Sequence, residues 1–167
     1  MGGAIDVAGN VSEDGFDGTA EWNFFWDPPA AKRVWDSDLK LVLTPLDATN
    51  EAPVTKDLVL RLGRQPESAS SALTGTIWSL GGAPRFELKK PFYAWDLITV
   101  VQLVHPELFT TTEVECDIVV DGPSQGRVVR TGPSGASEHS RGRIVTVIHP
   151  RDANDLFDVI VSDLGSP

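Results

Sequence analysis

Residues 27–47 read "DPPAAKRVWDSDLKLVLTPLD", and their reading decides the class of fold. Asp27 is an N-cap residue, and Pro28 stands where the first helical N–H has no partner in any case. The alanines that follow favour helix, so a helix is predicted over Pro28–Trp35. "LKLVLTPLD" is then an apolar run of strand length, predicted as a core strand around Leu41–Leu46 and stopped by Pro45. A capped helix feeding a buried strand is the pattern of an α/β protein.

Towards the N-terminus, Met1–Asn23 is rich in Gly, Asp and Asn and reads as loop. Its first ten residues, "MGGAIDVAGN", carry glycines of the kind needed for a tight turn or a close backbone approach. Towards the C-terminus, Thr55–Leu62 places Leu58 and Leu62 at helical spacing. "ESASSALTGTIWSL" continues in that style, with Gly81 and Gly82 expected to close it. After a loop, "GGAPRFELKKPFYA", the segment "WDLITVVQLVHPEL" is apolar nearly all round and predicts a buried helix. The character then changes. "EVECDIVVDG", "GRVVRTG" and "RIVTVI" are short β-branched runs with glycine-rich connections, which suggests a small antiparallel element, with "TGPSGASEHSRG" as a flexible tip. "PRDANDLFDVIVSDL" predicts a last helix. The fold expected is α/β: part of an open, mostly parallel sheet with a small antiparallel hairpin near the C-terminus.

Bulk composition narrows the function. A chain of 167 residues with 41% hydrophobic content has enough material for one domain-sized core. A net charge of -10 leaves no basic surface to neutralise phosphates, so nucleic acid is not an expected partner. No apolar stretch reaches the roughly 18 residues of a membrane span, and no membrane partner is expected. The single cysteine, Cys116, sits in an alternating run and reads as a half-buried strand residue, which fits a reducing, cytoplasmic location.

Candidate chemistry is sparse. His105 and His149 precede prolines at the ends of elements, and His139 lies in the Gly/Ser stretch. None has a second metal ligand at useful spacing, so surface or capping roles are expected. "SEDGFDG" offers Glu13, Asp14 and Asp17 but lacks the twelve-residue calcium-loop pattern with its closing glutamate. More promising are Asn10, Glu21 and Asn23 around Trp22, whose amide and carboxylate groups can hold vicinal hydroxyls, as sugar recognition requires. "YAWD" puts Trp95 beside Asp96 at the mouth of the apolar helix. On spacing alone Asp96 reads as an N-cap and Trp95 as a core aromatic.

Four blocks together, "MGGAIDVAGN", "DGTAEWNFFWDPPAAKRVW", "LVLTPLDATNEAPV" and "YAWDLITVVQLVHPEL", resemble the C-terminal half of the inosine-uridine preferring nucleoside hydrolase family. They cover the chain in order to about Phe109, and "DGTAEWN" with "AWD" is similar to the purine-preferring branch. The resemblance implies hydrolysis of the N-glycosidic bond of a ribonucleoside. It assigns Met1, Asn10, Glu21 and Asn23 to the ribose pocket, with Trp22 between them. Trp95 becomes the residue that stacks on the base and activates the leaving group, and Asp96 a ligand of calcium.

Trp95 stands where the other branch has histidine. An indole cannot donate a proton as a general acid, so stacking is its contribution and a purine preference is expected. The family's N-terminal D-x-D-x-x-x-D-D cluster has no counterpart here. The chain is therefore expected to be a partial hydrolase domain with an incomplete calcium site and little activity alone, completed by a separate N-terminal half or joined in a homo-oligomer. The alternatives are a non-catalytic nucleoside or sugar binder and a fragment that docks on a partner.

Overall fold

The computed structural model describes residues 1–65, 67–87, 92–132 and 142–166. The chain divides into two compact units, one of Met1–Ala48 with Phe109–His149, the other of Thr49–Leu108 with Pro150–Pro167.

In the first unit a loop leads into two short helices, α1 (Trp22–Trp26) and α2 (Pro28–Trp35), and then into strand β1 (Val42–Leu43) and helix α3 (Leu46–Thr49). Strands β2 (Phe109–Ile118), β3 (Val128–Arg130) and β4 (Arg143–Pro150) complete a four-stranded sheet of order β1-β4-β2-β3. β1 runs parallel to β4, with Val42 opposite Thr146, and β2 runs antiparallel to β3, with Cys116 opposite Arg130. The expected antiparallel hairpin is thus β2–β3, and the α/β class holds.

Helix α2 has the predicted bounds because its signals are local. Asp27 accepts from the Ala30 amide at 3.0 Å, as an N-cap should. Trp35 at its far end enters the core with Leu43, Val114, Cys116, Val128, Val145 and Val147. Its indole Nε1 donates to the Cys116 carbonyl at 3.2 Å, so the largest core side chain also satisfies its polar atom. Arg143 donates to the carbonyls of Trp35, Ser37 and Leu39, satisfying acceptors at the end of α2 and along the chain that leads into β1. The strand itself is shorter than expected, because Pro45 and α3 take the residues after Thr44.

The second unit holds α4 (Lys56–Gly63), α5 (Ala69–Glu87), α6 (Trp95–Val104), a 3₁₀ turn (Pro106–Leu108) and α7 (Ala153–Gly165). Helices α4, α5 and α7 pack on one another, burying Leu58, Leu62, Leu156 and Ile160. Ser71 and Gly75, one turn apart on α5, let the backbones approach: the Ser71 hydroxyl donates to the Leu62 carbonyl at 3.1 Å, and a Cβ on Gly75 would meet the Leu62 Cβ at 3.4 Å. Among the described residues no helix is long and apolar enough to cross a membrane.

Three expectations need correction. The stretch before Asn23 is not all loop, since α1 starts at Trp22. Glu21 caps it, a residue outside the usual Ser/Thr/Asp/Asn set, which hid the helix. Gly81 and Gly82 do not close α5, which runs to Glu87. A helical glycine costs only about 1 kcal/mol, and it stops a helix only where the backbone turns left-handed. Helix α6 is not buried all round: Ile98 and Val101 are buried, whereas Val100, Leu103 and Val104 are exposed. An all-apolar sequence says what a helix can bury, not what covers it. Of the loop expected over 81–94, residues 81–87 instead belong to α5 and 88–91 lie outside the described residues, as do most of the flexible tip at 131–142 and His139.

Cys116 is wholly buried on β2, and burial pushes its thiol up to about 12. It is expected to resist a disulfide reagent at pH 8 in the native protein and to react within minutes in urea; rapid native labelling counts against this burial. His105, the C-cap of α6, lies between Asp163 at 2.8 Å and Glu107 at 3.2 Å. The Asp163 hydrogen bond, with help from Glu107, raises its pKa above 6.5. The folded form therefore binds the proton more tightly, and this contact contributes fully below pH about 6.5 and is lost as pH rises through the higher folded value. Histidine titration by NMR is expected to show a midpoint above 6.5 that returns to the ordinary value in Asp163→Asn.

Candidate functional site

The loop that opens the chain is held by two carboxylates. Glu21, only 1% exposed, accepts from the amides of Gly3 at 3.0 Å, Asn23 at 2.9 Å and Phe24 at 3.3 Å. One side chain therefore caps α1 and ties the glycine turn to it. Asp47 on α3 accepts from the consecutive amides of Ile5 at 2.9 Å and Asp6 at 2.8 Å. The glycines are required by geometry. Gly3 adopts φ of 81°, and a Cβ on Gly9 would fall 2.1 Å from the Ala20 carbonyl oxygen. The Gly2 amide donates to the Thr44 carbonyl at 3.1 Å and the Leu46 amide to the Gly3 carbonyl at 2.8 Å, so the turn lies against the chain just beyond β1.

Beside this turn is a pocket of about 380 Å³. Its walls are Ala30, Ala31, Val34 and Trp35 of α2 and Leu41–Leu43 of β1, and its polar groups come from Met1, Asn23 and Asp27. The Asn23 side-chain amide donates to the Met1 carbonyl and the Met1 sulfur, each at 3.4 Å. Asn10 lies close by in the network: its Oδ1 accepts from the Trp22 amide at 2.8 Å, leaving its NH₂ group for another partner. The structure therefore brings Met1, Asn10, Glu21, Trp22 and Asn23 into one hydrogen-bonded corner. Asn10 and Glu21 support the corner, and Met1 and Asn23 line the pocket itself.

Trp95 and Asp96 belong to the other unit. Residues 92–94 are pinned before α6 by Val54 donating to the Phe92 carbonyl at 2.6 Å and Ala94 donating to the Ala52 carbonyl at 3.1 Å. The Trp95 ring lies 5.1 Å edge-on to Phe92 and 5.8 Å from Tyr93, and its buried Nε1 meets no acceptor among the described residues. Asp96 is exposed and is not the N-cap: Ala94 holds that position without a side-chain bond, and Asp96 falls within the first turn.

A calcium ion takes six to eight oxygen ligands. No group of three His, Cys, Asp or Glu side chains that could hold a metal ion occurs among the described residues, so the donors present do not fit calcium and Asp96 stands alone. In "SEDGFDG" the Asp17 carboxylate is taken up by Ser124 and by the Thr19 amide and hydroxyl, which lower its pKa.

Sequence reasoning overlooked Asp27 and Asp47. Asp27 was legible only as a cap, although it also lines the pocket, and Asp47 acts on amides 41 and 42 residues away, with no local signal.

Comparison with known proteins gives a consistent picture. The inosine-uridine preferring nucleoside hydrolase model matches residues 1–158. The pyrimidine-specific ribonucleoside hydrolase RihB of Escherichia coli O1:K1 is 31% identical over 77% of this chain and 40% of its own. The inosine-uridine preferring nucleoside hydrolase of Bacillus anthracis superposes with a TM-score of 0.83 at 32% identity, over 99% of this chain and 49% of that one. A purine-preferring ribonucleoside hydrolase of Gardnerella vaginalis shares the fold, with a TM-score of 0.70 at 20% identity over 99% of this chain and 51% of that one. The chain thus spans about half the length of its relatives or less.

Removing the Glu21 carboxylate leaves one buried and two part-buried amides without their acceptor. Glu21→Ala is expected to lower the unfolding free energy by about 3 kcal/mol or more, and Glu21→Gln, which keeps one acceptor oxygen, by less. Urea melts that fail to rank the two variants in this order would contradict the assignment.

Proposed function

The chain belongs to the inosine-uridine preferring nucleoside hydrolase family, and from that membership we propose that it serves in the hydrolysis of the N-glycosidic bond of ribonucleosides. In this reaction water oxygen bonds to C1′, the C1′–N bond breaks, and a proton from the water ends on the departing base. The observation that most supports the reading is the corner around the pocket, where Met1 and Asn23 present amide, carbonyl and sulfur atoms next to apolar walls.

Such a corner suits a nucleoside, which is polar at the ribose hydroxyls and flat and apolar at the base. Asn23 Oδ1 and the free NH₂ of Asn10 offer one acceptor and one donor for neighbouring hydroxyls. Glu21 has about four lone-pair positions and spends three on amides, so one remains for a hydroxyl donor. These groups bind and orient the sugar. Trp95 is proposed to stack on the base. Having no acidic proton to give, it leaves protonation of the base to solvent, which favours purines. The E. coli relative is named pyrimidine-specific, and the two readings predict opposite orders of inosine and uridine affinity.

The acidic groups that would activate water are not part of this chain's corner. We propose that catalysis at full rate needs a companion polypeptide, either a separate N-terminal half or a second copy. The exposed apolar side chains Leu73, Ile77 and Leu80 on α5 support association. Binding without a reactive water gives recognition and little rate.

Titration calorimetry of the full chain is the direct test. Inosine is expected to bind more tightly than uridine, and Asn23→Ala to weaken inosine about tenfold through loss of its hydroxyl contacts. No heat with any nucleoside at millimolar concentration would remove the reading, and a tighter uridine complex would reverse the base preference.

A further inference from the structure

Asn23 lines the pocket, and its backbone lies in the short helix α1. The connection 119–127 between β2 and β3, far away in sequence, packs on that helix. It turns through Gly122 and Gly126 at φ of 76° and 82° and closes on itself, the Gly126 amide donating to the Val119 carbonyl at 2.7 Å. A Cβ on Gly126 would come within 2.7 Å of the Phe25 N and Cα, so this turn lies directly on the backbone of α1. Beside it, Gln125 Nε2 donates to the Phe25 carbonyl at 3.3 Å. The residue four ahead of Phe25 is Pro29, which has no N–H to offer, so Gln125 supplies a donor that the helix cannot.

The same turn also reaches the loop that precedes α1. The Asp17 amide donates to the Pro123 carbonyl at 3.0 Å, and the Ser124 hydroxyl donates to Asp17 Oδ2. Asp17 Oδ1 is taken by the Thr19 amide at 3.0 Å and hydroxyl at 2.6 Å. This loop is closed at its neck, where the Asn10 amide donates to the Ala20 carbonyl at 3.1 Å. Also at the neck, Asn10 Oδ1 accepts from the amide of Trp22, the residue before Asn23. Residues 12–17 are exposed and Gly15 and Gly18 are at positive φ, so the tip depends on a few contacts: those of Asp17, and Phe16 edge-on to buried Phe25 at 4.7 Å.

We propose that Ser124 and Gln125 are positioning residues: the β2–β3 turn braces the loop through Asp17 and helix α1 through the Phe25 carbonyl, and so holds Asn23 ready for the ribose hydroxyls. This rests on the ribonucleoside reading above and deepens it. The two arms meet at Trp22 and Asn23, one arriving through Asn10 and the other along α1. Ordering them before the ligand arrives removes that cost from binding.

The experiment measures inosine and uridine binding by calorimetry for the full chain and its Ser124→Ala, Ser124→Thr and Gln125→Ala variants. Thermal melts and amide hydrogen exchange accompany it, and binding is measured well below every melting temperature. Ser124→Ala and Gln125→Ala are each expected to weaken both nucleosides in parallel, about three- to tenfold, because the brace acts on the sugar they share. In Ser124→Ala the Trp22 amide is expected to exchange faster than in the wild type. Ser124→Thr, which keeps the hydroxyl, is expected to recover most of the affinity. Wild-type affinities in Ser124→Ala and Gln125→Ala, with or without a lower melting temperature, overturn the inference and leave the ribonucleoside reading intact. A loss confined to one nucleoside also overturns it, as does a Ser124→Thr variant no better than Ser124→Ala. A wild-type chain that binds neither nucleoside overturns the reading and this inference with it.

Discussion

A carboxylate taken out of water survives as an anion only if its oxygens are met by donors, and the candidate site depends on one that is. Glu21 is buried, and three backbone amides converge on it from two segments, the glycine turn at Gly3 and the first turn of α1 at Asn23 and Phe24. The desolvation of the charge is offset only in this arrangement, so the arrangement is specified. Fixing Gly3 fixes Met1, and fixing Asn23 brings its amide within reach of Met1. The pocket corner is thus a consequence of satisfying one buried charge, with Asp47 repeating the device at Ile5 and Asp6.

Behind the corner, the wall of the pocket is set by how α2 meets the sheet. Trp35 fills the core and spends its N–H on the Cys116 carbonyl, while Arg143 gathers three carbonyls along the path from α2 into β1. Lys32 adds a charged contact, bridging Asp36 at 2.5 Å and the buried Asp117 at 2.9 Å. Burial pulls its pKa down, but the two carboxylates outweigh that and the net shift is upward. The contacts of Trp35, Arg143 and Lys32 with Cys116, the α2 exit and Asp117 join α2 to β2 and β4, and the same helix lends Ala31, Val34 and Trp35 to the pocket wall.

What was legible in the sequence was what is encoded locally. Asp27 and Pro28 announce α2 within two residues, and Leu58 with Leu62 announces the buried face of α4. The β-branched runs near the C-terminus announce the hairpin, and the family blocks mark the residues of the corner. What was illegible depends on partners distant in the chain. That Glu21 also ties down the glycine turn is visible only once Gly3 is seen to bond to it from 18 residues away. The glycines at 81 and 82 look like a stop because the cost of glycine in a helix is visible in sequence, but that cost alone does not end one. Exposure of Leu103 on α6 is illegible for the same reason, since hydrophobicity is a property of the residue and burial a property of its surroundings.

Recognition and rate make different demands on side chains. Binding a sugar needs donors and acceptors in fixed positions, whereas moving protons needs titratable groups whose pKa values are displaced at the place of reaction. Among the described residues the displaced groups lie elsewhere. Asp6 is lowered by its bond to Arg130, Asp17 by Ser124 and Thr19, His105 is raised by Asp163, and Cys116 is raised by burial in the sheet. None of these lines the pocket, whose polar groups come from Met1, Asn23 and Asp27. The perturbed charges therefore serve ion pairs, turns and the core, whereas the pocket sets polar atoms at one corner against apolar walls.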